Sequence, residues 1–182
     1  MMISAKKIIE FWYSDLISKH WFNSTVEIDS LMRENYEALW RMAVQGELNI
    51  WKENAESCLA LILLFDQFPL NMFRGEVESF STEANAVQLT LYGIKQEYDA
   101  VLPQSQLNFF YMPLMHSELI EHQNLAVEKF ERAGLVENAR FAKHHRKIIE
   151  QFGRFPHRNE IIGRVSSQAE RDYLNSDQAF KG

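Results

Sequence analysis

The sequence feature that most constrains the fold is an apolar run from Leu59 to Phe65, which no polar residue interrupts. A helix that is apolar on every side has to be buried, so this run predicts a central core helix at about 54–67. The run is far shorter than the roughly 20 residues that a membrane-spanning helix needs, so no membrane association is expected. The residues expected in the middle of the core are Leu61, Ile62, Leu64 and Phe65.

Apolar residues recur at helical spacing along the rest of the chain, and no stretch alternates in the manner of a β-strand. The predicted helices span about 4–20, 24–46, 54–67, 82–94, 103–113, 117–133, 136–152 and 167–174. Short connections between successive helices favour antiparallel neighbours. The sequence therefore predicts an all-α fold of about eight helices in stacked antiparallel pairs. We expect one domain over 1–182, with 175–182 as a tail.

Local sequence signals set several of the predicted helix boundaries. The segments 24–27 and 167–170 both have the capping-box pattern Ser-x-x-Glu, in which two side chains satisfy backbone N–H groups at a helix start. Pro69 is predicted to end the central helix, and Pro113 to end the helix that starts near 103. Ser117 is expected to cap the helix that follows.

Composition narrows the class of protein. The formal net charge is −6, which argues against nucleic-acid binding, because nucleic-acid-binding domains are usually basic. Cys58 is the only cysteine, so no internal disulfide can form and a reducing compartment fits. The first residues lack the apolar segment and the cleavage site of a signal peptide. A cytoplasmic protein is the expectation.

Charge is distributed unevenly along the chain. Residues 140–164 contain seven Lys or Arg and two Glu, a formal charge of +5, so the rest of the chain sums to −11. Within this basic stretch Pro156 fixes its own φ and restricts Phe155, which predicts a stiff loop. The guanidinium groups of Arg154 and Arg158 on such a loop can bind a carboxylate or phosphate through paired hydrogen bonds. The alternative is that they bind acidic side chains of the same chain.

A second polar group follows the apolar run, where Asp66 and Gln67 come directly after it. A carboxylate buried there needs a partner, because an unpaired buried charge is costly, and Arg74, Arg154 or Arg158 could supply it. The functional interpretation is a pocket wall in which Asp66 acts as a general base or ligand anchor. The alternative is an ion pair that joins distant loops.

A third polar group, His116-Ser117-Glu118, lies where one predicted helix stops and the next begins. A helix start attracts anions, and His116 could act as an acid–base catalyst near neutral pH or simply form structural hydrogen bonds. His144 and His145 lie about 100° apart on a helix, so only one faces the core, and we expect it to be His145. With no HExxH pattern and one cysteine, neither a metal nor a cofactor is predicted.

Three segments together resemble the signatures of one bacterial family, called domain of unknown function 924. They are LLFDQFP at 63–69 with Asn71 and 73–75, FYMPLMHSE at 110–118, and 145–164 with FGRFPHRN at 152–159. Phe11-Trp12 and Trp21-Phe22 match the aromatic start of that family, so the resemblance covers essentially the whole chain. It implies an all-helical fold similar to tetratricopeptide repeats and no assigned activity. Leu70 stands where the resemblance implies an arginine.

Two functional hypotheses follow. In the first, the three segments converge on a polar cleft that binds a small phosphate or carboxylate metabolite, with or without a reaction. In that cleft Asp66, His116 and at least one of Arg154 and Arg158 line one cavity. The catalytic candidates are Asp66, His116 and His157, and the ligand-binding candidates are Gln67, Arg74, Tyr111, Glu118, His145, Arg154, Arg158 and Asn159. In the second, a helical-repeat module binds a peptide or protein partner along an open face.

Overall fold

A computed structural model describes residues 3–180, and this part of the chain contains helices and no strand, which confirms the predicted all-α class. The α-helices in chain order are α1 (Ala5–Trp12), α2 (Asp15–Ser18), α3 (Val26–Val44), α4 (Ala55–Phe65), α5 (Gln67–Met72), α6 (Glu83–Lys95), α7 (Gln104–His116), α8 (Ile120–Arg132), α9 (Val136–Phe152) and α10 (Gln168–Leu174). Short 3-10 helices lie at Asn49–Glu53, Val77–Phe80, Tyr98–Ala100 and Pro156–Arg158. Among the described residues, no helix is both long and apolar enough to cross a bilayer.

The chain forms two compact units. The N-terminal unit comprises the residues up to Arg74 together with Glu78–Pro113. The C-terminal unit comprises Gly75–Val77 and the residues from Leu114 onward. That the whole chain behaves as one domain stays a prediction.

Helix α4 is the centre of the N-terminal unit, where it packs against α1, α3, α5 and α6. Every residue from Ser57 to Phe65 is buried, as the apolar run predicts. The exposed fractions of Leu61, Ile62, Leu64 and Phe65 are 2%, 0%, 0% and 6%. Burial also raises the pKa of the Cys58 thiol to about 12, so this cysteine is an inert core residue.

Two predictions about the helices of this unit are wrong, one about the extent of a helix and one about a helix cap. The helix predicted over 4–20 is two short helices, because Ser14 begins a new one by accepting a hydrogen bond from the backbone N–H of Ile17. The break places Ile17 in the core and leaves Leu16 57% exposed. Helix α3 is capped by Thr25, because the Ser24 hydroxyl donates to Asp29 at 2.7 Å instead.

The two proline boundaries are also wrong, for reasons of position and burial. Pro69 lies in the first turn of α5, where its missing N–H costs little. Pro113 lies inside α7, which continues to His116. The residues after it, Leu114 and Met115, are 0% and 6% exposed, so burial of this last turn outweighs the lost backbone hydrogen bond.

The C-terminal unit is built on a helical hairpin of α8 and α9, which pack along each other and are joined by residues 133–135. The bounds of α9 match the prediction, and Gly153 ends it with a φ of +69°. Ser117 does not cap α8, which begins at Ile120, although its Oγ accepts a hydrogen bond from the backbone N–H of Leu119 at 3.2 Å.

The small core of this unit also involves the segment predicted as a tail. Ile148, Ile149 and Phe155 are buried, and four partly buried side chains pack against them: Ile120, Phe152, Tyr173 and Phe180. Phe180 therefore contributes to the core, whereas 181–182 lie outside the described residues. The capping box at 167–170 is present as predicted and starts α10.

Candidate functional site in the C-terminal unit

The polar side chains of interest surround the basic loop, which we define as residues 153–167 between α9 and α10. Phe155 is 0% exposed and anchors the loop in the core of the unit. Pro156 follows it and opens the 3-10 turn Pro156–Arg158, where a fixed φ suits the helical backbone. The loop is therefore held by an apolar anchor and presents its charged side chains from a defined backbone.

Arg154 binds Glu170 through both arms of its guanidinium group. Its Nε donates to Oε1 at 2.6 Å and its Nη2 to Oε2 at 2.8 Å, while Nη2 also donates to the Val165 carbonyl at 2.9 Å. Glu170 is 2% exposed, and its hydrogen bonds from Arg154 and from the Ser167 backbone hold its pKa far below the usual glutamate value. This pair ties the start of the basic loop to α10.

Arg164 makes a second paired contact, with Glu118, which lies between α7 and α8. The Nη1–Oε2 and Nη2–Oε1 distances are 2.7 Å and 2.8 Å. The Glu118 Oε1 atom also accepts the backbone N–H of Phe155 at 2.7 Å. Burial alone would raise the pKa of Glu118, but the bonds from Arg164 and Phe155 outweigh it and lower that pKa.

Arg158 differs from Arg154 and Arg164 because it is almost completely buried, with 7% exposed. One of its nitrogens, Nη2, donates to the carbonyl of His116 at 2.8 Å, at the last residue of α7. Its guanidinium carbon lies 4.6 Å from the centroid of the Phe155 ring, a cation–π contact. The cation thus lies at the negative end of a helix dipole.

The end of α7 is completed by a side chain that the sequence did not single out. Gln123 is fully buried, and its Nε2 donates to the carbonyls of Met115 and Ser117 at 2.6 Å each. These bonds satisfy carbonyl groups that a helix end leaves open. Gln123 and Arg158 together fix the position of this helix end.

Two histidines flank Phe155, with ring centroids 5.5 Å from it for His145 and 5.6 Å for His157. His145 is the core-facing member of its pair, as predicted, with 4% exposed, and its Nδ1 lies 2.9 Å from the Phe141 carbonyl. Burial lowers the pKa of His145 to about 3 and that of His157 to about 4. Both rings are therefore uncharged at neutral pH, and an imidazole with such a pKa is a weak base.

Several buried polar atoms near this loop have no hydrogen-bond partner among residues 3–180, including His157 Nδ1, Asn159 Oδ1 and Gln123 Oε1. The amide nitrogen of Asn159 does donate, to Ser166 at 3.0 Å and to Glu170 at 3.3 Å. Buried polar groups in native proteins are normally satisfied by protein, water or ligand. The three atoms therefore identify positions at which a ligand or water can bond.

The remaining candidates belong to the N-terminal unit. Asp66 and Gln67 are 4% and 5% exposed, and the Gln67 amide donates to the Asp66 carboxylate. Arg74 binds Asp29 with an Nε–Oδ2 distance of 2.7 Å. That Asp66 lines one cavity with His116 and Arg158 stays a prediction.

Tyr111, the remaining ligand-binding candidate, donates a hydrogen bond from its hydroxyl group to the Asp99 carboxylate at 2.8 Å.

Among residues 3–180 there is no group of three or more His, Cys, Asp or Glu side chains arranged to hold a metal ion. A catalytic role for Asp66, His116 or His157 stays a prediction.

The sequence singled out Arg74, Arg154 and Arg158, but four other side chains that take part in these contacts were missed. Glu170 binds Arg154, and Asp29 binds Arg74. Arg164 binds Glu118, and Gln123 binds carbonyl groups at the end of α7. Glu170 carried a signal as part of a capping box, but that pattern does not predict an arginine partner. The other three carried no local signal of their roles.

Comparison with known proteins agrees with the resemblance seen in the sequence. The family described as "Bacterial protein of unknown function (DUF924)" matches residues 8–178. A solved structure of a protein of unknown function from Agrobacterium tumefaciens is similar to this chain, with 36% sequence identity and a TM-score of 0.88. The match covers 94% of this chain and 96% of that one. No curated protein matches the chain. The chain belongs to the DUF924 family.

Proposed function

We propose that this member of the DUF924 family binds a small anionic metabolite, a phosphate or a carboxylate, in its C-terminal unit. The ligand contacts in this proposal come from Arg158, His157 and His116. The supporting observation is the buried cation of Arg158, 7% exposed, next to His157, whose buried Nδ1 has no hydrogen-bond partner among the described residues.

Two other arginines of the loop have a structural role in this proposal. Arg154 and Arg164 each present two nitrogens to a carboxylate of the same unit, at distances of 2.6–2.8 Å. A ligand would have to displace Glu170 or Glu118 to reach them. In this proposal both pairs are the framework that holds the loop.

Arg158 is held in place by contacts within the unit. Its contacts with the His116 carbonyl and the Phe155 ring fix the guanidinium group before any ligand arrives. A charge held in a poorly solvated place attracts an opposite charge more strongly than one in water. The neutral imidazoles beside Phe155 can add hydrogen bonds without adding charge.

The test is a thermal-shift screen at fixed ionic strength with phosphate, pyrophosphate, malonate and citrate. It compares the wild type with Arg158→Lys and with the control variant Arg154→Lys. A ligand that binds only the native state raises the midpoint with its concentration. We expect this for the wild type, and a smaller rise for Arg158→Lys, because lysine lacks the planar fork.

The control separates ligand contact from structural support. Arg154→Lys loses the paired contact with Glu170, so its midpoint without ligand should fall while its response to ligand persists. An equal response in all three proteins would place the anion elsewhere. If no anion raises the wild-type midpoint, the proposal fails, and peptide or protein binding becomes the better hypothesis.

A further inference from the structure

Phe180 lies in a slot made of imidazole rings. Its ring centroid is 4.4 Å from that of His145, 5.0 Å from that of His157 and 6.4 Å from that of His144. The interplanar angles of 61°, 82° and 72° are edge-to-face arrangements, which aromatic pairs favour. We call the space between these three histidines and Phe155 the ring slot.

The lining of the ring slot is more polar than a phenyl group requires. Each imidazole carries two nitrogen atoms that can donate or accept a hydrogen bond, whereas a phenyl ring offers neither. His157 Nδ1 is buried and has no hydrogen-bond partner among residues 3–180, with Phe180 in place. A ring that carries a hydroxyl group could form a bond that Phe180 cannot.

The segment that carries Phe180 is held by the packing of that ring and by mostly local backbone hydrogen bonds. Its backbone N–H donates to the Tyr173 hydroxyl at 2.9 Å. The other backbone bonds of the segment are local ones, from Ser176 to Tyr173 and from Ala179 to Ser176. Residues 175–178 are exposed and Phe180 is half-buried, so its release would break its ring contacts, its packing in the small core and the bond to Tyr173.

The ring slot adjoins the proposed anion site through Phe155. This one ring contacts the imidazoles of His145 and His157 and also the guanidinium group of Arg158. A ligand with a ring in the slot and an acid group beside the ring would therefore reach the buried cation.

We propose that the ring slot is the subsite for the ring of an aromatic acid, and that Phe180 occupies it until such a ligand displaces it. The inference deepens the proposed function and rests on it, since Arg158 holds the acid group. The ligand class is a planar ring, preferably hydroxylated, that bears a carboxylate or a phosphate.

The experiment measures binding by isothermal titration calorimetry for wild type, Phe180→Ala and Phe180→Leu. The probes are 4-hydroxyphenylacetate, phenylacetate, the saturated analogue cyclohexylacetate, and malonate as an anion without a ring. Phe180→Ala should bind both aromatic acids at least about ten-fold more tightly than wild type, because it removes the competing ring. Phe180→Leu keeps the slot filled and should stay close to wild type.

Two further comparisons sharpen the result. On Phe180→Ala, phenylacetate should bind more tightly than cyclohexylacetate, and 4-hydroxyphenylacetate more tightly than phenylacetate. Circular dichroism on all three proteins checks that they fold alike. The inference is overturned if Phe180→Ala binds the aromatic acids no better than wild type, or binds the saturated acid equally well.

Failure of this inference can be told from failure of the proposed function. If malonate binds the wild type and Arg158→Lys weakens it, while Phe180→Ala gains nothing for aromatic acids, the anion site stands and the ring slot does not. Suppose that the aromatic acids bind Phe180→Ala more tightly than wild type, and that adding Arg158→Lys to Phe180→Ala does not weaken this binding. The slot then binds rings, but the proposed contact between Arg158 and the acid group fails. If no probe binds any variant, both proposals fail.

Discussion

Replacing Glu118 by glutamine removes the charge at the junction of α8 and the basic loop while keeping the shape of the side chain. The carboxylate accepts hydrogen bonds from the Phe155 backbone at 2.7 Å and from the two terminal nitrogens of Arg164 at 2.7 Å and 2.8 Å. Glutamine retains one oxygen, so the bond from Phe155 can persist. The paired, charged contact with Arg164 is lost.

The expected loss in the free energy of unfolding can be bounded by two known kinds of contact. A hydrogen bond to a charged group contributes about 1.5–3 kcal/mol, whereas an exposed ion pair contributes at most about 1 kcal/mol. The side chains of Arg164 and Glu118 are 24% and 27% exposed, so the pair is mostly shielded from water. We expect Glu118→Gln to lower the free energy of unfolding by about 2 kcal/mol, or the midpoint by roughly 4–8 °C.

The assay is denaturant unfolding at neutral pH, with the control variant Glu128→Gln in α8, the helix that follows Glu118. Glu128 pairs with Arg132 at 3.0 Å, but these side chains are 54% and 72% exposed, so the control should lose less than about 0.5 kcal/mol. Because the pKa of Glu118 is lowered by folding, its stabilisation is present above the unfolded value of about 4.3 and is lost as pH falls through the folded pKa. Equal losses for the two variants, or a difference that persists at low pH, would refute the reasoning.

Other predictions concern the core and the histidines. Leu64→Ala should cost about 2–5 kcal/mol in denaturant unfolding, because Leu64 is fully buried in α4; a loss well under 1 kcal/mol would contradict its central place. Gly93→Ala should destabilise the protein, because a Cβ at this position would lie 2.7 Å from the buried ring of Phe110. Overpacking costs about 1–3 kcal/mol, which exceeds the gain in helix propensity of up to about 1 kcal/mol. Unchanged stability would show that the ring can move. Since folding lowers the pKa values of His145 and His157, the unfolded chain binds more protons below pH about 6.5, and stability should fall between about pH 6.5 and 4.5 by up to 1.4 kcal/mol per pH unit for each histidine. His157→Gln should flatten that dependence, and an identical slope would contradict it.

Features that local sequence signals define were predicted well. The bounds of α9, the left-handed Gly153 after it and the capping box at 167–170 all agree with the structure. Each depends on residues within a few positions of one another. The burial of α4 was equally predictable, because a helix that is apolar on every side is stable in water only when it is buried.

The wrong boundaries have a different physical origin. Pro113 would end an isolated helix, but Leu114 and Met115 are buried and hold the next turn in place. Ser24 has a capping-box pattern, yet its hydroxyl binds Asp29 and Thr25 caps the helix. In both regions a tertiary or neighbouring contact outweighs a local preference.

The basic loop was recognisable in the sequence, but the partners of its arginines were not. The basic loop was conspicuous in the sequence, yet Arg164 binds Glu118 across 46 positions and Arg154 binds Glu170 across 16. Sequence periodicity carries no information on which of 25 acidic residues faces which arginine. Only the folded arrangement shows that Arg154 and Arg164 each bind a carboxylate with two nitrogens and that Arg158 donates to the carbonyl at the end of α7.

The central claim is that a small anion binds beside Arg158 and His157, and the nitrogen resonances of the histidine rings test it most directly. Long-range ¹H–¹⁵N spectra would follow every imidazole nitrogen during titration with the best anion from the thermal-shift screen. We predict that the resonance of His157 Nδ1 shifts and that this shift saturates with the ligand concentration. The resonances of His20 in the N-terminal unit, whose Nδ1 lies 3.2 Å from the Asn23 carbonyl oxygen, should stay unchanged. Saturable binding that leaves the His157 nitrogens unmoved would contradict the claim.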